Sequence, residues 1–289
     1  MHLSTRKHLP TQKQLYSSAK SFTFLLALIL LSVSFTFSNK ALSASNDSEY
    51  SDQPLRIAVS SNFTPVLKKL LVEFHQQTKI NTQIISGATG AMFIQIQHGA
   101  PFDIFIAADS IRPSKLEQQG LILANSRQTY AQGQLALLSM NLKAKLSDLK
   151  SYLQKSPQRF AIANPDTAPY GKAAKETLEH IGLWQQYKPK VIMGININQT
   201  FAQVRSQAVN SGLVANSQLV LNNLTGTIIP SNYHQPIAQQ LVIIKSSDNI
   251  NKAKRLSEYL LSPTIQQKII SFGYTRVDNS EQGDKHDKS

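Results

Sequence analysis

The residues of this chain best suited to chemistry are neutral. Five short stretches close apolar runs with hydroxyls, amides and small residues: Ser60–Asn62 (SSN), Ser86–Gly90 (SGATG), Ala107–Asp109 (AAD), Asn164–Gly171 (NPDTAPYG) and Asn196–Thr200 (NINQT). Several run straight into an amphipathic pattern. Hydroxyl and amide groups donate hydrogen bonds, and the first turn of a helix adds unpaired N–H groups with a partial positive charge. The chemistry on offer is capture of a small anion. SGATG holds no Lys or Arg, although the chain has a formal net charge of +13, so it lacks the lysine of a phosphate loop. Any one such loop is more simply a helix cap. Recurrence at several strand ends points to a site, because the strand ends of one lobe lie side by side. Tyr170 adds a phenol, a donor on an apolar body, after Pro169; an aromatic packed on a helix start is the other reading. Asp166 reads as a turn former, and would repel a dianion if it pointed inward.

As an enzyme the sequence offers little. Its seven histidines are scattered; His75, His98 and His180 sit near helix C-termini, where the helix dipole favours a cation. There is no HExxH, no His pair at ligand spacing and no GxSxG. No catalytic residue and no cofactor is expected.

The elements that must position these loops alternate strand and helix. LRIAVS reads as a buried strand. In TPVLKKLLVEFHQQT, Leu67, Leu70, Leu71 and Phe74 fall on one helical face, with Thr64 as N-cap and Pro65 at the first helical position. NTQIIS, FDIFIAAD and GQLALLS read as strands, and GAMFIQIQHG and PSKLEQQG as helices stopped by Gly99 and Gly120. The second half repeats this grammar. RFAIANP, PKVIMGIN, GLVANSQLV and QQLVIIKSS are strands. GKAAKETLEHIG, with Gly182 as its stop, and NQTFAQVRSQAVNSG are helices, and a final helix is interrupted at Pro263. Strands alternating with helices imply an α/β fold with mainly parallel sheets, and two such series imply two lobes. Ligands in such folds sit at the carboxyl ends of strands.

The N-terminus has a different character. Basic residues Arg6, Lys7, Lys13 and Lys20 precede the apolar run Phe22–Phe37, and small residues follow it. That is the pattern of a secretory signal, residues 1–43, cleaved near Ser43–Ala44. The run is shorter than a membrane-spanning helix needs. Its removal leaves 25 Lys and Arg against 17 Asp and Glu, a net charge of +8. Basic clusters interleaved with aromatics are missing, so no nucleic-acid partner is expected. The chain has no Cys and uses no disulfide, although an exported location would permit one. The charged tail, residues 278–289, reads as frayed.

IAVSSNFTPVL, ISGATGAMFIQIQHGAPFDIFIAADS, ANPDTAPYGKAAKETL and SGLVANSQL together resemble the periplasmic molybdate-binding proteins of ABC importers, from about Leu55 to Tyr274. The GAPFDIFIAAD segment is shared more loosely with receptors for iron(III) and other oxyanions. The resemblance implies a type II periplasmic binding protein fold: two α/β lobes with a ligand cleft between them. Residues 52–132 and 240–277 would form one lobe and 133–239 the other, with crossovers near Tyr130–Leu137 and Pro236–Val242. It implies a monomer that captures molybdate, and tungstate with it, and delivers the oxyanion to a membrane permease. The metal is bound only as the oxyanion. Carried over by motif, the donors are Ser61 and Asn62, Thr89 where many relatives have Ser, Tyr170, and a backbone N–H at the NINQT helix start, assigned to Gln199 with Thr200 as the other choice. One branch of the family uses a Tyr where this chain has Ala215; Tyr170 would take over that phenol. An iron(III) or sulfate-like receptor of the same fold is the alternative; iron(III) prefers anionic oxygen ligands, and these loops hold one Tyr.

Overall fold

LRIAVS shows no alternation because helices cover both of its faces, as befits a parallel strand. In the computed structural model, which describes residues 53–141, 149–155 and 159–276, it forms β1 (Leu55–Ser60), buried at every position but Arg56. The inferred signal segment and tail lie outside the described residues.

The first half continues with α1 (Thr64–Thr78), β2 (Thr82–Gly87), α2 (Thr89–Gln97), β3 (Ile104–Ile106), α3 (Ile111–Gln118) and β4 (Gln128–Gly133). Then follow β5 (Leu135–Ser139), α4 (Leu149–Lys155), β6 (Phe160–Ala163), α5 (Pro169–His180), α6 (Trp184–Tyr187), β7 (Val191–Gly194), α7 (Ile197–Arg205), β8 (Ser211–Ala215), α8 (Asn216–Leu221) and β9 (Thr227–Ile228). The chain ends its described course with β10 (Ile237–Ile243), α9 (Ile250–Leu261) and α10 (Pro263–Ser271).

These strands make two five-stranded mixed sheets, ordered β2-β1-β3-β10-β4 and β7-β6-β8-β5-β9. In the first, β1 runs parallel to β2 and β3, and β10 is antiparallel to β3 and β4. In the second, β6 is parallel to β7 and β8, and β5 is antiparallel to β8 and β9. The chain leaves the first sheet across Gln134 and returns to it at Ile237. Each sheet carries apolar packing on both faces. Leu67, Leu70 and Phe74 of α1 pack with Leu256 and Leu260 of α9 on one side of the first sheet, and Met92, Ile96 and Leu116 pack on the other.

Gly99, Gly120 and Gly182 end their helices with φ of 78°, 68° and 77°, the left-handed region that glycine enters at least cost. Two local expectations shift. The cap of α1 is Phe63, and Thr64 is already helical; its hydroxyl bonds Ser86 Oγ at 2.7 Å instead of capping. GLVANSQLV is not one strand. It turns into α8 after Ala215, whose N–H is taken by the Gln218 side chain at 3.0 Å.

Asp103, from the recognisable GAPFD segment, is fully buried. It accepts from the Arg56 N–H at 2.6 Å, the Ser247 hydroxyl at 2.7 Å and the Asn249 amide at 3.3 Å. It locks β1, the start of β3 and the turn after β10 together, well away from the anion loops. This role explains a motif that marks the fold more than the ligand.

Candidate functional site

The carboxyl ends of β1, β2 and β3 meet the starts of α5 and α7 around a small cavity of about 10 Å³, whose walls include Ser61, Asn62, Thr89, Ala108, Tyr170 and Ile197. Four of the five candidates from the sequence therefore come together, drawn from segments 27 to 109 residues apart, and all four are at least 96% buried. None of the lining residues is charged.

Helix starts form part of the cavity wall. α2 starts after Ala88 and α5 after Ala168, and neither has a side-chain cap. Alanine is a poor N-cap, costing about 1 kcal/mol against Ser or Asn. Both alanines are extended and line the cavity. Two helices from different sheets thus present starts without side-chain caps to one small space. Gly90 gives its N–H to the Thr167 carbonyl, Gly171 to the Ala168 carbonyl and Pro169 has none, which leaves the N–H groups of Thr89, Ala91 and Tyr170 for a ligand.

Around them stand the hydroxyls. Thr89 Oγ1 lies 2.5 Å from Ser60 Oγ and accepts from the Ala108 N–H at 3.3 Å. Ser61 gives its backbone N–H to the Gly87 carbonyl at 2.9 Å; its hydroxyl has no partner among the described residues. Asn62 behaves differently from the expectation of a side-chain donor. Its amide nitrogen turns away, to Gln239 Oε1 at 3.0 Å and to the Tyr274 hydroxyl at 3.2 Å. What Asn62 has left to give is its backbone N–H.

The Tyr170 hydroxyl accepts from Gln239 Nε2 at 3.1 Å, so its proton is free to donate. Burial pushes this phenol well above its ordinary value of 10.0, with Tyr274 adding to the rise and the Gln239 bond opposing it. Tyr170 is therefore a neutral donor throughout the physiological range. Its oxygen also dictates a glycine: a Cβ on Gly133 would lie 2.4 Å from it.

Gln199 does not join the group. It is exposed, its side chain accepts from the Ile195 N–H at 2.6 Å, and its own N–H is held by Asn196 Oδ1 at 3.1 Å. Asn196 caps α7, also taking the Asn198 N–H. That leaves Ile197, the first residue of α7, as its contribution to the cavity. Thr200 is buried behind it, its hydroxyl spent on the Asn196 carbonyl at 3.2 Å. Capping cannot be read from NINQT alone, because either Asn can cap. Sequence reading also missed Gln239, Tyr130 and Tyr274, and it named Ser60 within the SSN stretch without giving it a role.

Several bonds cross the cleft between the two sheets' domains. Gly90 N–H donates to the Thr167 carbonyl at 2.8 Å, and Arg112 Nη2 to the Asp166 carbonyl at 2.8 Å, while Asp109 holds the same guanidinium. The Asp166 side chain is exposed and does not line the small cavity. A wider groove of about 810 Å³ adjoins this latch, bordered by Arg112, Lys115 and Lys172 but also by Asp109, Asp166 and Glu176. Those carboxylates make it the poorer anion site despite its size.

Comparison with known proteins bears on this arrangement. The sequence profile of a family described as bacterial extracellular solute-binding protein matches residues 55–275. The chain is 36% identical over 225 residues to the molybdate-binding protein ModA of Azotobacter vinelandii, covering 76% of this chain and 89% of that protein. It is 32% identical over 218 residues to ModA of Rhodobacter capsulatus, covering 75% and 86%. Among solved structures, the periplasmic molybdate-binding protein of Azotobacter vinelandii superposes with a TM-score of 0.73 at 32% identity, over 78% of this chain and 100% of that one.

Proposed function

Since the chain belongs to the bacterial extracellular solute-binding protein family, we propose that its cleft captures a tetrahedral oxyanion, molybdate and with it tungstate, and hands it to the permease of an ABC importer. The protein works as a monomer outside the cytoplasm, without catalysis. One lobe comprises residues 52–132 with 240–277, and the other residues 133–239. The relatives named as molybdate-binding proteins support the choice of ligand. The observation that carries it is the pairing of two uncapped helix starts, at Ala88 and Ala168, across a cavity with hydroxyls and no charged side chain.

The donors in this reading are Ser61, Thr89 and Tyr170 through their hydroxyls, and Asn62 and Ile197 through backbone N–H groups, with Ile197 in place of Gln199. Hydrogen bonds to a charged oxygen contribute roughly 1.5–3 kcal/mol each, so five offset the costs of desolvation and closure. The cavity volume of about 10 Å³ is close to that of one water-sized probe. An ion with four oxygens seats only as the lobes part and re-close around it. Neutral donors suit this cycle, since a long cation would compete with fit in a closing cleft. Size then selects molybdate and tungstate over sulfate. With no carboxylate to take the proton of hydrogen phosphate, the site can meet that proton only by turning a hydroxyl from donor to acceptor, which gives up a bond to the anion and disfavours that ion.

An iron(III) receptor would need several anionic oxygen or imidazole ligands at the site; the lining of this cavity holds no carboxylate or imidazole and a single phenol, Tyr170, whose proton burial helps to retain. Thermal-shift measurements with molybdate, tungstate, sulfate, phosphate and Fe(III) discriminate these readings. Stabilisation by molybdate and tungstate is expected; stabilisation by Fe(III) alone would refute the proposal.

A further inference from the structure

Gln239 does not line the cavity, yet it is completely buried and every polar atom of its side chain is engaged. It lies on β10, at the point where pairing with β4 shifts register between Gln239 and Gln240. Such a bulge re-aims side chains. The extra residue is Tyr130 of β4, and because both faces of this sheet are packed, two consecutive glutamines of β10 are buried: Gln240 serves Thr129 at 3.0 Å and Arg127 at 3.2 Å, while Gln239 points to the crossover. There its Oε1 accepts from Asn62 Nδ2 at 3.0 Å and from the Tyr130 hydroxyl at 2.9 Å, and its Nε2 donates to Tyr170. One amide thus ties the β1 loop, β4 and β10 of the first sheet to the phenol at the start of α5.

We infer that Gln239 is the positioning residue of the oxyanion site: by donating to the Tyr170 oxygen it leaves the phenol proton directed at the ligand. The inference rests on the reading that Tyr170 donates to the oxyanion. A phenol has one proton, so where that proton goes decides whether the group attracts or repels an anion. With Gln239 as donor, the proton faces the cavity. The reversed amide would set its nitrogen against Asn62 Nδ2 unless Asn62 turned over as well, and with Tyr170 donating to Gln239 it would turn only an oxygen lone pair to the ligand. A bound dianion therefore selects the first sense, and the amide end of Gln239 makes it available. The donors to Gln239 do not depend on it alone. Tyr130 has a second acceptor in the Ala107 carbonyl at 3.2 Å, and Asn62 has Tyr274. Gly133, lacking a Cβ, lets Tyr170 and Gln239 meet beside the crossover.

The test is a double-mutant cycle read by molybdate affinity, with Gln239→Met and Tyr170→Phe. Methionine fills a similar volume without a donor, and Asn62 and Tyr130 each keep a partner, so the fold survives. Gln239→Met is expected to weaken binding roughly tenfold in the native background and hardly at all in the Tyr170→Phe background, where no phenol proton remains to direct. Equal losses in both backgrounds, or native affinity in Gln239→Met, would overturn the inference while leaving Tyr170 in the site. Native affinity in Tyr170→Phe would instead overturn the reading of Tyr170 itself. If circular dichroism shows Gln239→Met unfolded, Gln239→Glu replaces it in the same cycle; a carboxylate accepts from the phenol, and its charge repels ligand equally in both backgrounds, so the coupling still reports the phenol proton.

Discussion

At the scale of the residue, two hydroxyls of the proposed site are held by neighbours and keep a free direction. Thr89 is held by Ser60 and by the Ala108 N–H, and Tyr170 by Gln239. Tyr170→Phe and Thr89→Ala should each weaken molybdate binding by about 10- to 100-fold, one charge-assisted hydrogen bond's worth. Each change also leaves a buried donor without its partner, Gln239 Nε2 or the Ala108 N–H, so ligand-free stability should fall by roughly 1–3 kcal/mol with the protein still folded; equilibrium dialysis and a melting curve on each variant check the pair. Side-chain types that donate were legible in the sequence, and Ser61, Asn62, Thr89 and Tyr170 do line one cavity. Which atom of each donates was not legible. Asn62 looks like an amide donor in SSN, but its amide is drawn off by Gln239 and Tyr274, residues more than 170 positions away. Gln199 fails for a local reason: Asn196 reaches its N–H first.

At the scale of the element, the notable feature is the contrast between helix starts. α7 is capped by Asn196, whereas α2 and α5 begin on alanines that line the cavity. A cap forgone in favour of a ligand costs stability and can be restored. Ala88→Ser, with the backbone already extended at φ −68° and ψ 143°, should raise ligand-free stability by roughly 0.5–1 kcal/mol and weaken oxyanion binding, because the new hydroxyl takes an N–H meant for the anion. Urea unfolding and a binding titration on the same variant read both effects; a variant both more stable and undiminished in binding would refute this use of α2. Helix periodicity and glycine stops placed most elements well, since both are local. Strands were harder where their ends depend on remote neighbours. β8 stops at Ala215 because Gln218 caps back onto it. β4 was read only as part of a crossover, since QTYAQG alternates weakly and is held by pairing with β10, more than 100 residues on.

At the scale of the whole molecule, two sheets are joined through a buried polar seam of three tyrosines, Tyr130, Tyr170 and Tyr274, around Asn62 and Gln239. Burial raises all three phenols above 10.0, Tyr274 to about 12. In the unfolded chain they ionise near 10.0, so above that pH the unfolded state has lost protons that the folded state retains. Their contribution to stability is fully present below pH 10 and is lost as pH rises toward and through about 12. Urea midpoints should hold steady up to about pH 9.5 and fall beyond it, with the share of phenolate absorbance that belongs to these three tyrosines appearing only on unfolding; ionisation of every tyrosine near pH 10 in the folded protein would contradict the seam. Nothing in the sequence announced it. Its members are far apart in the chain and of types that also serve as ordinary core residues.

The claim at the centre of this account is that a basic protein holds a dianion with neutral dipoles in one closing cleft. Calorimetric titration of molybdate into the purified protein tests it most directly. The account predicts saturable binding of one molybdate per chain, displaced by tungstate and reduced by Tyr170→Phe. No heat with molybdate or tungstate, alongside clear heat with another ligand, would contradict it.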